Sequence, residues 1–381
     1  MKELFDIIKV YDAAVEEGKQ CALATVVLVE GSSYRRAGAR MLITEDGQLT
    51  GAISGGCLEG DALRKAQLVL NNRKTMVVTY DTMDEDDAKL GVGLGCNGII
   101  HILIEPIQTN DPANVIELLR PYVQKRQRMV LITLFCFENK QTNQPGTCLV
   151  MEEDGKISIK NNIPIKDELI EDAKNSFINS RSQVKLYLSA NSELTGFIEL
   201  LKPPISLVVF GAGNDTIPLM KMANVLGWNI TIVDGRPGHA TWQRFPLANK
   251  LIIAKPQDVL PQLITDQRTA VILMTHNYNY DLAILEGLLP RHISYIGVLG
   301  PGKKLQRMLF ELNERGVILN EDNMLCIYGP TGLDLGAETS EEIALSIISE
   351  IQLVFSDGKA ISLRDKKTFI HPREDHLNLS S

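Results

Sequence analysis

Apolar and polar positions follow two different rhythms along this chain. The first half alternates them in strands punctuated by Asp-Gly turns, and the second half sets short continuous apolar blocks between amphipathic stretches. The clearest block is Ile205 to Phe210, where five of six residues are large and apolar, as in a parallel strand buried on both faces. Gly211 and Gly213 follow it, then a helical stretch, then a second strand ending at Asp234. Such a glycine turn lets backbone amides approach a phosphate at the helix start. Asp234 lies 23 residues after Gly211, where a dinucleotide fold places a carboxylate on a ribose hydroxyl. This is a Rossmann half, with one departure: Thr216 replaces the third glycine and is expected to crowd helix against strand.

Further blocks, KLIIA, VILM, ISYIGVL and MLCIY, alternate with helices near Asp281 to Leu289, Lys303 to Leu312 and Ser340 to Phe355. The alternation predicts a doubly wound parallel sheet. Its ligand crevice would be lined by the turns after the strands, including Asp234-Gly235-Arg236 and Thr275-His276-Asn277, with His276 and Asp281 as acid-base candidates.

The first 200 residues contain a duplication. Shifted by 108 residues, Ala22 to Gly51 falls on Val130 to Ile159 without a gap, with Leu23/Leu131, Thr25/Thr133, Glu30/Glu138, Gly38/Gly146, Glu45/Glu153, Asp46/Asp154 and Gly47/Gly155 identical. Both copies read as strand, polar loop, strand, Asp-Gly turn and strand. Later in each copy, GIIHILIEP (Gly98 to Pro106) finds an echo in GFIELLKP (Gly196 to Pro203). The predicted fold is therefore α/β, with a C-terminal Rossmann-like doubly wound sheet preceded by an α+β domain built from two similar repeats. The boundaries fall at 1–108, 109–204 and 205–360, with a flexible tail over 361–381.

Whatever only one copy possesses is not needed for the fold alone, and three segments of the first copy lack a counterpart. GSSYRRAGAR carries Arg35, Arg36 and Arg40, where the second copy reads NKQTNQPGTC. SGGCLEGD carries Ser54, Gly55, Gly56, Cys57 and Glu59, and the stretch Asp81 to Asn97 carries Gly95 and Cys96. Ser54 to Gly56 precede a helix, so unpaired amides and a positive dipole end would hold an anion there. The arginines would supply bidentate forks for phosphate or a polar heterocycle. Cys57 opens that helix, where positive potential favours a thiolate able to ligate a soft metal or carry sulfur.

Composition narrows the partners. A net charge of −8 disfavours nucleic acid and anionic membrane. The chain shows neither a signal peptide nor an apolar run of spanning length, and so reads as cytoplasmic with reduced thiols. Cys21, Cys136 and Cys326 sit in apolar runs and read as small buried residues.

Taken together, GSSYRRAGARM, GAISGGCLEGD, GLGCNG, GAGN, VDGRP, MTHNYNYD, YIGVLG and GPTGLDLGAETSEEIALSI resemble the maturation factors of molybdenum hydroxylases, accessory proteins for xanthine dehydrogenase and carbon monoxide dehydrogenase. The resemblance runs from Glu3 to about Phe355. It implies a homo-oligomeric chaperone rather than a catalyst, one that binds molybdenum cofactor (molybdopterin), protects it during terminal sulfuration by a sulfurtransferase and delivers it to a molybdenum hydroxylase apoenzyme. Arg35, Arg36, Arg40, Ser54, Gly55, Gly56, Cys57, Glu59, Gly95 and Cys96 would face that cofactor, with Cys57 the molybdenum contact. Gly211, Gly213, Asp234, Arg236 and His276 would face a nucleotide or NAD(P). The alternatives are an NAD(P)-dependent oxidoreductase with His276 as proton donor, and a cofactor nucleotidyltransferase.

Overall fold

The computed structural model describes residues 2–81, 98–137, 144–160, 163, 165–189 and 192–367. Chain contacts divide it into two units, Met1–Pro203 with Leu363–Ser381, and Pro204–Ser362. No helix among the described residues is long and apolar enough to cross a membrane.

The first unit runs α1 (Lys2–Glu16), β1 (Cys21–Gly31), β2 (Arg40–Thr44), β3 (Leu49–Gly51), α2 (Glu59–Asn72), β4 (Met76–Asp81), β5 (Gly98–Ile107), α3 (Val115–Gln124), β6 (Met129–Phe135), β7 (Gly146–Glu152), β8 (Ile157–Ile159), α4 (Lys166–Asn179), β9 (Gln183–Ser189) and β10 (Ser192–Leu201). Among the described residues these strands make two antiparallel sheets of matching order, β3-β2-β1-β5-β4 and β8-β7-β6-β10-β9. Helix α2 packs Ala62, Ala66 and Val69 on the outer face of the first sheet. Helix α4 packs Leu169 and Ala173 on that of the second. The inner faces meet through Leu23, Leu131, α1 and α3.

The identities between the copies have physical causes. Gly47 and Gly155 turn their hairpins at φ 87° and 90°, a backbone that favours glycine. Glu45 accepts the Gln20 N–H at 3.1 Å, and Glu153 accepts that of Arg128 at the same distance. Gly38 and Gly146 answer a reciprocal exchange of glutamates. Glu105, on β5, accepts the Thr147 N–H at 2.8 Å and hydroxyl at 2.7 Å in the other copy. Glu199, on β10, reaches back to Arg40. A methyl group on Gly38 would lie 2.3 Å from Glu199 Oε1, and one on Gly146 would lie 2.3 Å from Glu105 Oε1.

Two expectations are corrected here. Leu23 faces Glu105 and Leu131 faces Glu199, so those glutamates are equivalent, and the echo that sets Gly98 against Gly196 is out of register. Matching glycines carry no side chain that commits a strand residue to one face, so they do not pin a register. Arg40 is not on the ligand loop. It opens β2, is 1% exposed, and its guanidinium is spent on Glu199 and, at 2.9 Å, on the Gly38 carbonyl.

The second unit runs β11 (Ser206–Phe210), α5 (Thr216–Val225), β12 (Asn229–Asp234), β13 (Lys250–Ile253), a one-turn α6 (Pro256–Val259), β14 (Thr269–Leu273), α7 (Tyr278–Leu288), β15 (Tyr295–Val298), α8 (Gly302–Glu314), α9 (Glu321–Cys326), β16 (Ile327–Tyr328) and α10 (Ser340–Phe355). Its parallel sheet has the order β13-β12-β11-β14-β15-β16. Helices α5 and α10 cover one face and α7 and α8 the other. The order reverses between β11 and β14, which places the ligand crevice at their C-terminal ends. The MLCIY block splits: Met324 to Cys326 end helix α9, whose Asn320 capping box starts it, and only Ile327 and Tyr328 pair as a strand. Of the expected tail, Leu363–Asp365 forms a 3₁₀ turn and residues 368–381 lie outside the described residues.

Candidate functional site

In the first unit, two of the three unmatched segments come together. The Tyr34 ring, 68% exposed, covers Gly55, where an added methyl group would touch it at 3.5 Å. The arginine loop therefore lies over the turn that starts α2. Gly56 takes φ 110° with open space beside it, and Cys57 is exposed next to it. Arg35 is tethered, its Nη2 donating to both Glu3 oxygens at 2.9 and 2.8 Å. Arg36 occupies the same loop and bends it, its carbonyl accepting the Ala39 N–H at 3.2 Å. Gly95 and Cys96, expected beside them, lie outside the described residues.

The helix start differs from expectation. Ser54 Oγ accepts the N–H groups of Gly56 (3.2 Å) and Leu58 (3.1 Å) and donates to Glu59, whose carboxylate also accepts the Ser54 and Leu58 N–H groups. Those amides are met by the chain's own anion. The reason is local: a carboxylate five residues after Ser54 reaches back over the turn, as in a capping box. Burial works against the Glu59 charge, but hydrogen bonds from the Ser54 hydroxyl and from backbone N–H groups outweigh it and hold the carboxyl below its ordinary range. Cys57 and Tyr34 stay exposed beside this turn.

In the second unit, Gly211 (φ 120°) lets β11 turn against β14, since a methyl group there would lie 2.3 Å from the Met274 carbonyl oxygen. Thr216 does not crowd the packing. It is buried, and its hydroxyl is satisfied by the Gly211 carbonyl at 2.9 Å. Asp234 does not present its carboxylate to a ribose. It accepts the Ala212 N–H at 2.8 Å, the Arg236 N–H at 2.8 Å, and the Arg236 guanidinium at 2.9 and 2.8 Å. Burial opposes its charge, and those bonds more than compensate, holding its acidity below the ordinary carboxylate value. Asp281 is likewise committed, buried against Lys304 at 2.7 Å and the Thr275 hydroxyl at 2.6 Å.

The residue that sequence reasoning missed is Asp215. It precedes α5, where a pyrophosphate would sit, and its Oδ1 would lie 2.2 Å from a methyl group on Gly213. Its Oδ2 meets His276 Nε2 at 3.0 Å, and His276 is held in the left-handed region at φ 58°. An acidic residue inside a glycine turn was the available signal, because it puts a negative charge where a phosphate needs a positive end. Arg244 braces the turn from outside through the Ala212 carbonyl (2.7 Å) and Asn214 (2.9 Å).

Both depressed carboxylates predict acid sensitivity. A folded value below the unfolded one gives stability that is complete above the unfolded value, roughly pH 4, and is lost as pH falls through the folded value. Melting temperature is expected to hold between about pH 7 and 5 and to fall below about 4. Glu59→Gln and Asp234→Asn should each flatten that acid limb, and curves superimposable on the wild type would contradict the assignment.

The family profile described as the XdhC Rossmann domain matches residues 207–351, and that of the XdhC and CoxI family matches residues 14–81. A probable xanthine dehydrogenase subunit of Bacillus subtilis (strain 168) is 31% identical over 341 residues, 89% of this chain and 94% of that protein. Molybdenum cofactor insertion chaperone PaoD of Escherichia coli (strain K12) is 22% identical over 90% of this chain and 85% of its own. The crystal structure of a xanthine dehydrogenase from Bacillus halodurans matches with a TM-score of 0.73 at 28% identity, covering 93% of this chain and 97% of that one.

Proposed function

The chain belongs to the XdhC and CoxI family, and from that premise we propose that it matures a molybdenum hydroxylase by holding molybdenum cofactor as cargo and passing it to the apoenzyme. The observation that carries the proposal is the contact of Tyr34, on the arginine loop, with Gly55, two residues before the exposed thiol of Cys57. These residues fit the cargo's chemistry. A thiolate is a soft ligand suited to molybdenum, and guanidinium forks suit a phosphate. On this reading Cys57 would meet the metal end, Arg35 and Arg36 would meet the phosphate, and the exposed Tyr34 ring beside Gly55 would lie against the cargo. The long similarity to an insertion chaperone supports a carrier rather than a catalyst. A sulfurtransferase would act on the cargo while it is held. Fluorescence titration with isolated molybdopterin tests the reading: saturable binding is expected, and its absence would overturn it.

The oxidoreductase alternative draws no support from the crevice of the second unit. Asp215 sets a carboxylate at the phosphate position, and Arg236 occupies the Asp234 carboxylate. That unit is proposed as a docking platform for the client. NADH and NADPH are expected to show no saturable fluorescence change with the protein, and turnover with a small carbonyl substrate that disappears in Asp234→Ala would restore the alternative.

A further inference from the structure

A cavity of about 170 Å³ opens between the two copies of the first unit, lined in part by Arg73, Lys160, Glu105, Asp111, Asn114 and Gln144. The pseudo-symmetry of the copies shows what is unusual about it. Glu105 and Asp111 correspond to Glu199 and Glu3. On the other side each of those carboxylates has captured an arginine, Glu199 taking Arg40 and Glu3 taking Arg35.

At the cavity the counterparts meet neutral donors. Among the described residues Glu105, 3% exposed, accepts only from Thr147, and Asp111 accepts the Ala113 N–H at 2.8 Å. Arg73 and Lys160 have no hydrogen bond or ion pair from their side chains among the described residues. Arg73 is also held at φ 53°, in the left-handed region, as the residue that closes α2. Two carboxylates without a bonded cation and two cations without a bonded carboxylate thus share one polar space. The amide side chains beside them are already used: Asn114 caps α3, and Gln144 accepts the Cys136 N–H at 2.6 Å.

We infer that this cavity binds a small zwitterion of the α-amino acid class. Its ammonium group would answer Glu105 and Asp111, and its carboxylate would answer Arg73 and Lys160, where charge-assisted bonds are strongest. A ligand carrying both charges compensates all four groups, whereas a bare anion would add repulsion to two buried or half-buried carboxylates. The size agrees, because the space is below the roughly 300 Å³ at which pockets for drug-sized ligands begin. A dinucleotide is larger than this space.

Calorimetric and thermal-shift titration of the full chain with glycine, L-alanine and L-serine tests the inference, with inorganic phosphate and methylammonium as single-charge controls. Saturable binding of at least one amino acid is expected, with neither control binding. Arg73→Gly combined with Lys160→Ala should weaken it about tenfold or more while circular dichroism stays unchanged, since glycine keeps the left-handed backbone. No saturable binding of any of the three, binding unaltered in the double variant, or phosphate binding as well as the amino acid would each overturn the assignment.

Discussion

Arg40→Ala is expected to cost the first unit about 3–5 kcal/mol, the penalty for leaving a buried carboxylate without its partner. Arg40 is 1% exposed and Glu199 8% exposed, so water cannot take over the lost bonds. Burial works against the Arg40 charge, yet the carboxylate of Glu199 more than restores it, so the guanidinium stays protonated and the pair acts as one element. Replacing both partners by apolar residues, Arg40→Met with Glu199→Leu, should recover most of the loss, because no uncompensated charge then remains. Urea unfolding measures both. A loss within about 0.5 kcal/mol for Arg40→Ala, the range of ordinary surface changes, would mean that the exchange of glutamates does not hold the copies together.

Cys57→Ser is expected to leave the fold unchanged and to weaken cargo binding by roughly a hundredfold, since a hydroxyl is a poor substitute for a soft thiolate ligand. The thiol is exposed and donates to the Ser54 hydroxyl at 3.4 Å, a bond that a serine hydroxyl can also make. Alkylation gives the matching check. Iodoacetamide should modify Cys57 quickly, while Cys21 and Cys148, which burial pushes up to about 11 and about 12, should stay unmodified in the folded protein. Bound cargo should shield Cys57 from the reagent. Cargo binding by Cys57→Ser at wild-type strength, or alkylation indifferent to cargo, would remove the thiol from the site.

Much of the fold was legible because it rests on short-range pattern. Continuous apolar blocks located the parallel strands of the second unit, and the Asp-Gly turns and repeated identities located the duplicated sheets. Legibility failed at β5 and β10, where the matching glycines suggested one register and the pairing of Leu23 with Glu105 and of Leu131 with Glu199 set another. The site was less legible, for a different reason. Sequence spacing shows which polar groups lie near each other along the chain but not which ones satisfy each other in space. Arg40 looked like a member of an arginine loop until Glu199, 159 residues away, was seen to claim it. Ser54 and Gly56 looked like open donors until the Ser54 N–H was seen to be taken by Glu59 and that of Gly56 by the Ser54 hydroxyl oxygen. Asp234 kept its place at the end of its strand but gave its carboxylate to Arg236, two residues on. What survived from sequence to structure is the nearness of the arginine loop to the Gly55 turn, to which the comparison of two unequal copies had pointed.

Delivery of cargo by the first copy is measured directly by activation of a client. Apo molybdenum hydroxylase from cofactor-deficient cells would be incubated with the cargo-loaded full chain, with the Arg35→Ala, Arg36→Ala double variant, and with free cofactor at equal concentration. Delivery by the first copy predicts faster and more complete activation by the loaded wild-type chain than by free cofactor, with the double variant reduced to the free-cofactor level. Equal activation by all three would contradict it.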